Sequence, residues 1–124
     1  MANFNFVLLY VADPIASGKF YSGLIDKPVV QSSPGFAVLP LGGDVMLGLW
    51  LRQEVEPKVT AATGGSEIAF AVGGDAELTR LHKDWKARGL AIAQAPTKMN
   101  FGLTFVALDP DGNRIRAFAP AARN

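Results

Sequence analysis

The chain has 124 residues, of which 49% are apolar and 19% charged, with 12 basic and 11 acidic side chains giving a net charge of +1. That describes one globular domain able to bury about two thirds of its unfolded surface, and it excludes both a disordered chain and the basic stripe that nucleic acid would require. The chain has no cysteine and a single histidine, His82. Disulfides, thiolate catalysis and cysteine-held zinc are therefore excluded, and the common histidine-rich metal sites cannot be built within one chain.

The first half starts with an apolar run, from about Phe4 to Val11, that reads as a strand. Met1–Phe4 carries no basic segment, so Phe6–Ala12 is not expected to be a signal peptide. No apolar run approaches the ~20 residues of a membrane span, and a cytoplasmic protein is the expectation. Asp13 offers a helix N-cap and Pro14 suits the first helical position, where a missing N–H costs nothing. Phe20 and Leu24, four apart, are expected to form the buried stripe of that helix. Short strands are predicted over 29–31 and 36–41, separated by the turn Ser32-Ser33-Pro34-Gly35. After Gly42-Gly43-Asp44, a last strand runs from Val45 to Trp50. Pro57, Gly64, Gly65 and several charges then mark a linker over about 53–65.

The second half repeats the plan. A strand over 67–72 leads to a helix capped at Asp75 and stopped by Gly89, with Leu78, Leu81 and Trp85 on one face. His82 is expected at the solvated edge of this helix, and Trp85 in the core. Strands over 90–94, 102–108 and 114–119 follow, the last after the turn Asp111-Gly112-Asn113. Repeated order of this kind signals a duplicated fold: α+β, with two βαβββ modules over about 3–52 and 66–120 in one domain. Superposing the copies pairs Phe6 with Glu67 and Leu47 with Arg116. Alternation places Ile68, Phe70 and Val72 under the helix and Glu67, Ala69 and Ala71 on the opposite face, where the first copy carries Phe6, Leu8 and Tyr10. By the same rule Trp50 shares a side with Met46 and Gly48, opposite Leu47, and would face the helix unless the strand bends.

Three features carry a family resemblance: Val11-Ala12-Asp13 ahead of a helix with Phe20-Tyr21, the run Glu67-Ile68-Ala69-Phe70, and Asp109-Pro110-Asp111-Gly112-Asn113-Arg114-Ile115-Arg116. With them the chain resembles, over nearly its whole length, the vicinal-oxygen-chelate superfamily of glyoxalase I, extradiol dioxygenases and bleomycin-resistance proteins. The resemblance implies two βαβββ modules forming a rolled, barrel-like mixed sheet, and a homodimer. Enzymes of the superfamily hold a divalent metal with one residue from the first and last strand of each module. The matching positions here are Phe6, Leu47, Glu67 and Arg116, of which only Glu67 can ligate; arginine offers donors alone. No metal, cofactor or catalytic residue is therefore expected. An ion pair between Glu67 and Arg116 is expected in the metal's place, because an unpaired charge in an apolar cavity is costly.

Tyr10-Val11, Ser66-Glu67-Ile68, Phe101-Gly102 and Thr104-Phe105 further resemble phenazine-resistance members of the superfamily, which stack a planar ligand on a tryptophan at the position of Trp50. The resemblance implies a binder of a planar aromatic antibiotic, with Trp50, Phe6, Tyr10, Phe36, Leu47, Glu67, Phe101, Phe105 and Arg116 around the ligand and Met99 and Asn100 near its mouth. Lys98, Arg114 and Arg116 would make that mouth mildly basic, suiting a carboxylated ligand. Two alternatives stay open on the sequence: a glyoxalase-like lyase, isomerase or dioxygenase-related enzyme with a non-standard site, and a structural dimer without a ligand.

Overall fold

The computed structural model describes residues 2–121, and they divide into two units that part between residues 61 and 62. The first unit contains β1 (Phe6–Val11), α1 (Pro14–Ile25), β2 (Gln31–Ser32), β3 (Phe36–Gly42) and β4 (Val45–Leu51), followed by a short 3-10 turn at Arg52–Glu54. The second contains β5 (Glu67–Ala71), α2 (Asp75–Ala87), β6 (Ala91–Met99), β7 (Gly102–Leu108) and β8 (Arg114–Pro120). Each unit is a βαβββ module, as its sequence pattern requires. The strands make two four-stranded sheets, ordered β1-β4-β3-β2 and β5-β8-β7-β6; β1 with β4 and β5 with β8 are parallel, and the other pairs are antiparallel. The expected mixed sheet of two βαβββ modules is made as two four-stranded sheets, because each module's strands pair among themselves.

The helices begin as local chemistry dictates. The Asp13 side chain accepts a hydrogen bond from the Ala16 N–H at 3.2 Å, and Pro14 occupies the first turn. The buried stripe of α1 is Pro14, Ser17, Gly18 and Tyr21, in place of Phe20 and Leu24, which are half-buried. Small Ser17 and Gly18 bring the helix close to the sheet, and the bulkier side chains spread to its margins. Gly74 is the N-cap of α2, with Asp75 inside the first turn, where its negative charge faces the positive end of the helix dipole. Leu78 and Trp85 are buried from this helix. His82 is half-buried, not solvated; its ring and that of Trp85 each lie 5.3 Å from Phe105, edge to face.

Strand register decides which residues can form a site. Phe6 lies opposite Met46, Leu8 opposite Gly48 and Tyr10 opposite Trp50. In the second module Glu67 lies opposite Arg114 and Ala69 opposite Arg116. Phe6 therefore does match Glu67, but the residue matching Arg116 is Gly48, and Leu47 matches Ile115. Slipping a strand by one residue exchanges its two faces. Pro40 pairs with Met46 and Leu108 with Arg114, so it is Gly43-Asp44-Val45, and not Gly42-Gly43-Asp44, that matches Asp111-Gly112-Asn113; aligning the turns by their glycines misplaces β4 by one. Leu47, in register with Val7 and Leu39, is core, with 0% of its surface exposed. Trp50 then lies on the open face of the sheet, not under the helix.

Candidate functional site

The open face of the first module is built by alternation from Phe6, Leu8 and Tyr10 on β1, Met46, Gly48 and Trp50 on β4, and Phe36 on β3. Gly48 is central. A Cβ placed there would stand 2.6 Å from Leu8 Cδ2 and 2.8 Å from Phe36 Cζ, so these two side chains lean into space that only glycine leaves. The Trp50 ring meets Tyr10 and Phe36 edge to face, each with centroids 6.3 Å apart, and the two neighbours brace it from different strands. A cavity of about 520 Å³ opens beside it, lined by Leu8, Ser33, Gly35, Phe36, Trp50 and Glu54. That volume is within the ~300–1,000 Å³ of small-molecule pockets, which are mostly apolar with few polar groups.

The open face of the second module is ionic. Arg116 Nε donates to Glu67 Oε1 at 2.5 Å and Nη2 to Oε2 at 3.4 Å. Nη1 donates to Thr104 Oγ1 at 3.1 Å and Gln94 Oε1 at 3.3 Å, and the Thr104 hydroxyl in turn donates to the Ala117 carbonyl. The guanidinium has five N–H groups, so at most one is left for anything else. Phe101 lies with its ring centroid 5.8 Å from Arg116 Cζ and packs edge-on against Phe118. Arg114 Nε stands 3.2 Å from Glu67 Oε2, an ion pair whose N–H is not aimed well enough to be a hydrogen bond. The Arg116 hydrogen bond, aided by the charges of both arginines, holds the Glu67 carboxyl below the ordinary glutamate range, against the opposing effect of partial burial. Glu67 is thus an ionised, twice-paired carboxylate, weakly basic as a result.

Of the residues singled out from the sequence, the structure brings Trp50, Phe36 and Tyr10 together in the first module and Glu67, Arg116 and Phe101 in the second. Phe6 is on the open face, 41% exposed, but does not line the cavity. Leu47 and Phe105 belong to the core. Phe105 faces α2 because its neighbour Thr104 takes the open side, a placement legible from strict alternation along β7. The expected basic residues are each paired, though three cations share two carboxylates: Lys98 Nζ is 3.6 Å from Asp75, and Arg114 and Arg116 share Glu67. Gln94, Thr104 and Glu54 were not anticipated. Gln94 stands where the β6–β7 register shifts, and Glu54 is in a stretch that composition assigns to the linker.

Two such modules, each with a helix on one sheet face and the other face open, define the glyoxalase-type fold. The chain belongs to the glyoxalase/bleomycin resistance protein/dioxygenase superfamily, whose family model matches residues 3–117. It is 30% identical over 115 residues to the phenazine antibiotic resistance protein EhpR of Enterobacter agglomerans, covering 90% of this chain and 88% of that one. A protein from Agrobacterium tumefaciens, solved by NMR in solution, superposes with a TM-score of 0.89 at 45% identity, over 98% of this chain and all (100%) of that one. A glyoxalase-related enzyme from Fulvimarina pelagi shares the fold at 22% identity, with a TM-score of 0.81 over 96% of this chain and 88% of that one.

The residues present do not fit the divalent metal of the superfamily's enzymes. With the register corrected, its four positions hold Phe6, Gly48, Glu67 and Arg116. Two have no donor atom, one is a permanent cation, and the remaining carboxylate is already engaged by two guanidinium groups. Among the described residues, no three His, Asp or Glu side chains come together as a metal-binding group. No described helix is long and apolar enough to cross a membrane.

Proposed function

We propose that the protein binds and sequesters a planar aromatic small molecule without a metal, in the manner of an antibiotic-resistance protein, and that its ligand site is the Trp50 cavity. The observation that carries this reading is the cavity itself: an indole braced by Tyr10 and Phe36, an aliphatic wall from Leu8, and room for a fused-ring compound. Offset stacking on such a ring contributes about 0.5–1.5 kcal/mol beyond burial, and an apolar pocket rewards flat heteroaromatics by shape. Similarity to a phenazine antibiotic resistance protein supports phenazine-like compounds as the class. A homodimer in the cytoplasm is part of the same proposal and rests on the family resemblance.

An enzymatic reading is weaker. It needs a base, and the one carboxylate at a former ligand position is held ionised by its arginines, which lowers its proton affinity. Titration of the protein with phenazine and with acridine, followed by tryptophan fluorescence, tests the proposal. Quenching that saturates and disappears in Trp50→Ala is the expected result, with Trp85 supplying the unquenched remainder. Absence of quenching by both compounds would refute it. Metal analysis after exposure to Ni and Zn should find no stoichiometric ion.

A further inference from the structure

Beside the aromatic wall, the cavity of the first module carries one charged side chain, Glu54. It follows β4 directly, on the 3-10 turn Arg52–Glu54, and its carboxylate lies against Gly35 before β3. A Cβ at Gly35 would stand 2.8 Å from Glu54 Oε1, so the carboxylate rests over a backbone that has no side chain to push it away. The turn is itself rigid: the Ser33 hydroxyl both donates to the Phe36 carbonyl and accepts from the Phe36 N–H, and the Leu51 N–H donates to the Gly35 carbonyl at 2.9 Å. Arg52, the nearest cation in sequence, turns away and donates to the Ala61 carbonyl. Among the described residues the Glu54 carboxylate has neither an ion-pair nor a hydrogen-bond partner in its own unit.

We infer that Glu54 is a specificity-determining residue of the Trp50 cavity, selecting planar aromatics that carry a protonated amine or other cationic nitrogen over neutral and carboxylated ones. The inference rests on the proposed function and deepens it. An unpaired carboxylate at the lip of an apolar cavity attracts a ligand ammonium through a charge-assisted hydrogen bond, which is roughly twice as strong as a neutral one. It repels a ligand carboxylate at the same place. This differs from the preference that the basic residues suggest from the sequence, because no Lys or Arg lines the cavity, and Lys98, Arg114 and Arg116 are paired with carboxylates of their own module. The aromatic wall gives affinity for flat rings of any charge, and Glu54 distinguishes among them.

Calorimetric titration with three flat tricycles of different charge tests this: 9-aminoacridine, which is protonated at neutral pH, phenazine, which is neutral, and phenazine-1-carboxylate, which is anionic. Wild-type protein should bind 9-aminoacridine about tenfold more tightly than phenazine, and the carboxylate most weakly. Glu54→Gln should remove the tenfold preference while leaving phenazine affinity unchanged, and Trp50→Ala should weaken all three. If phenazine binds but 9-aminoacridine gains nothing, or Glu54→Gln weakens both equally, the role of Glu54 is overturned and the aromatic site stands. If none of the three binds, the aromatic site and the role of Glu54 fall together. Circular dichroism of Glu54→Gln, expected to match wild type, separates a selectivity change from misfolding.

Discussion

At Gly48 the first module leaves a hollow that Leu8 and Phe36 lean into, and at the matching position the second module places Arg116, tied to Glu67, Thr104 and Gln94. The same contrast holds at the strand starts, Phe6 against Glu67 and Met46 against Arg114, and fades at the strand ends, where Trp50 matches the equally aromatic Phe118. The helix-facing sides differ far less, with Leu47 matching Ile115 and Leu49 matching Ala117, all buried. A duplicated backbone constrains the face that packs under its helix, because packing is dense and volume changes there are felt. The open face carries no such constraint. One copy is aromatic around its hollow and the other ionic, and the difference separates the surface proposed to bind a ligand from an internally satisfied one.

The largest loss is expected on the helix-facing side that the two modules share. Phe105→Ala removes the ring that His82 and Trp85 pack against and should cost about 3–5 kcal/mol in a urea melt. A loss below 1 kcal/mol, on the order of a surface substitution, would contradict its place in the core. Installing bulk at the hollow of the first module comes next. Gly48→Leu must displace Leu8 and Phe36, so it should destabilise by about 1–3 kcal/mol and abolish phenazine binding, measured by the same melt and by fluorescence titration.

Smaller effects sharpen the ionic side. Arg116→Leu leaves Glu67 with Arg114 alone and Thr104 and Gln94 without their donor, and should cost about 1–2 kcal/mol. The double variant Glu67→Leu with Arg116→Leu should recover part of that loss, since replacing both partners by apolar groups is often neutral. A double variant no better than the single one would show that the pair itself is not what Arg116 supports. The smallest expected effect is on pH. The Glu67 carboxyl lies below its ordinary value of 4.5 when folded, so its contribution is fully present above that value. It is lost as pH falls through the lowered folded value. Wild-type stability should therefore decline below about pH 4.5 more steeply than that of Glu67→Gln. Equal slopes would mean that Glu67 titrates alike in both states.

Much of this was legible in the residues. The repeat, both helices, the Asp13 cap and the strand faces of β1 and β5 follow from periodicity and local chemistry, which act over a few residues. So did the pairing of Glu67 with Arg116, since two opposite charges among apolar neighbours have few other ways to be satisfied. Leu47 and Phe105 went to the wrong side for different reasons. Phe105 was an aromatic assigned to the site against its own alternation. Leu47 is a register error, because the turn glycines of the two hairpins stand at different places relative to the paired strands, and only the ladder shows which residues match.

Residue type and spacing alone give the architecture of two βαβββ modules and leave Glu67 as the one possible ligand among the positions where the superfamily's enzymes hold their metal. That Trp50 opens onto a cavity and not into the core, and that Glu54 stands beside it, follows only from strand pairing and packing. So does the engagement of Arg116 by Thr104 and Gln94. These outcomes depend on which strand residue meets which, and that is fixed by hydrogen bonding between segments distant in the chain.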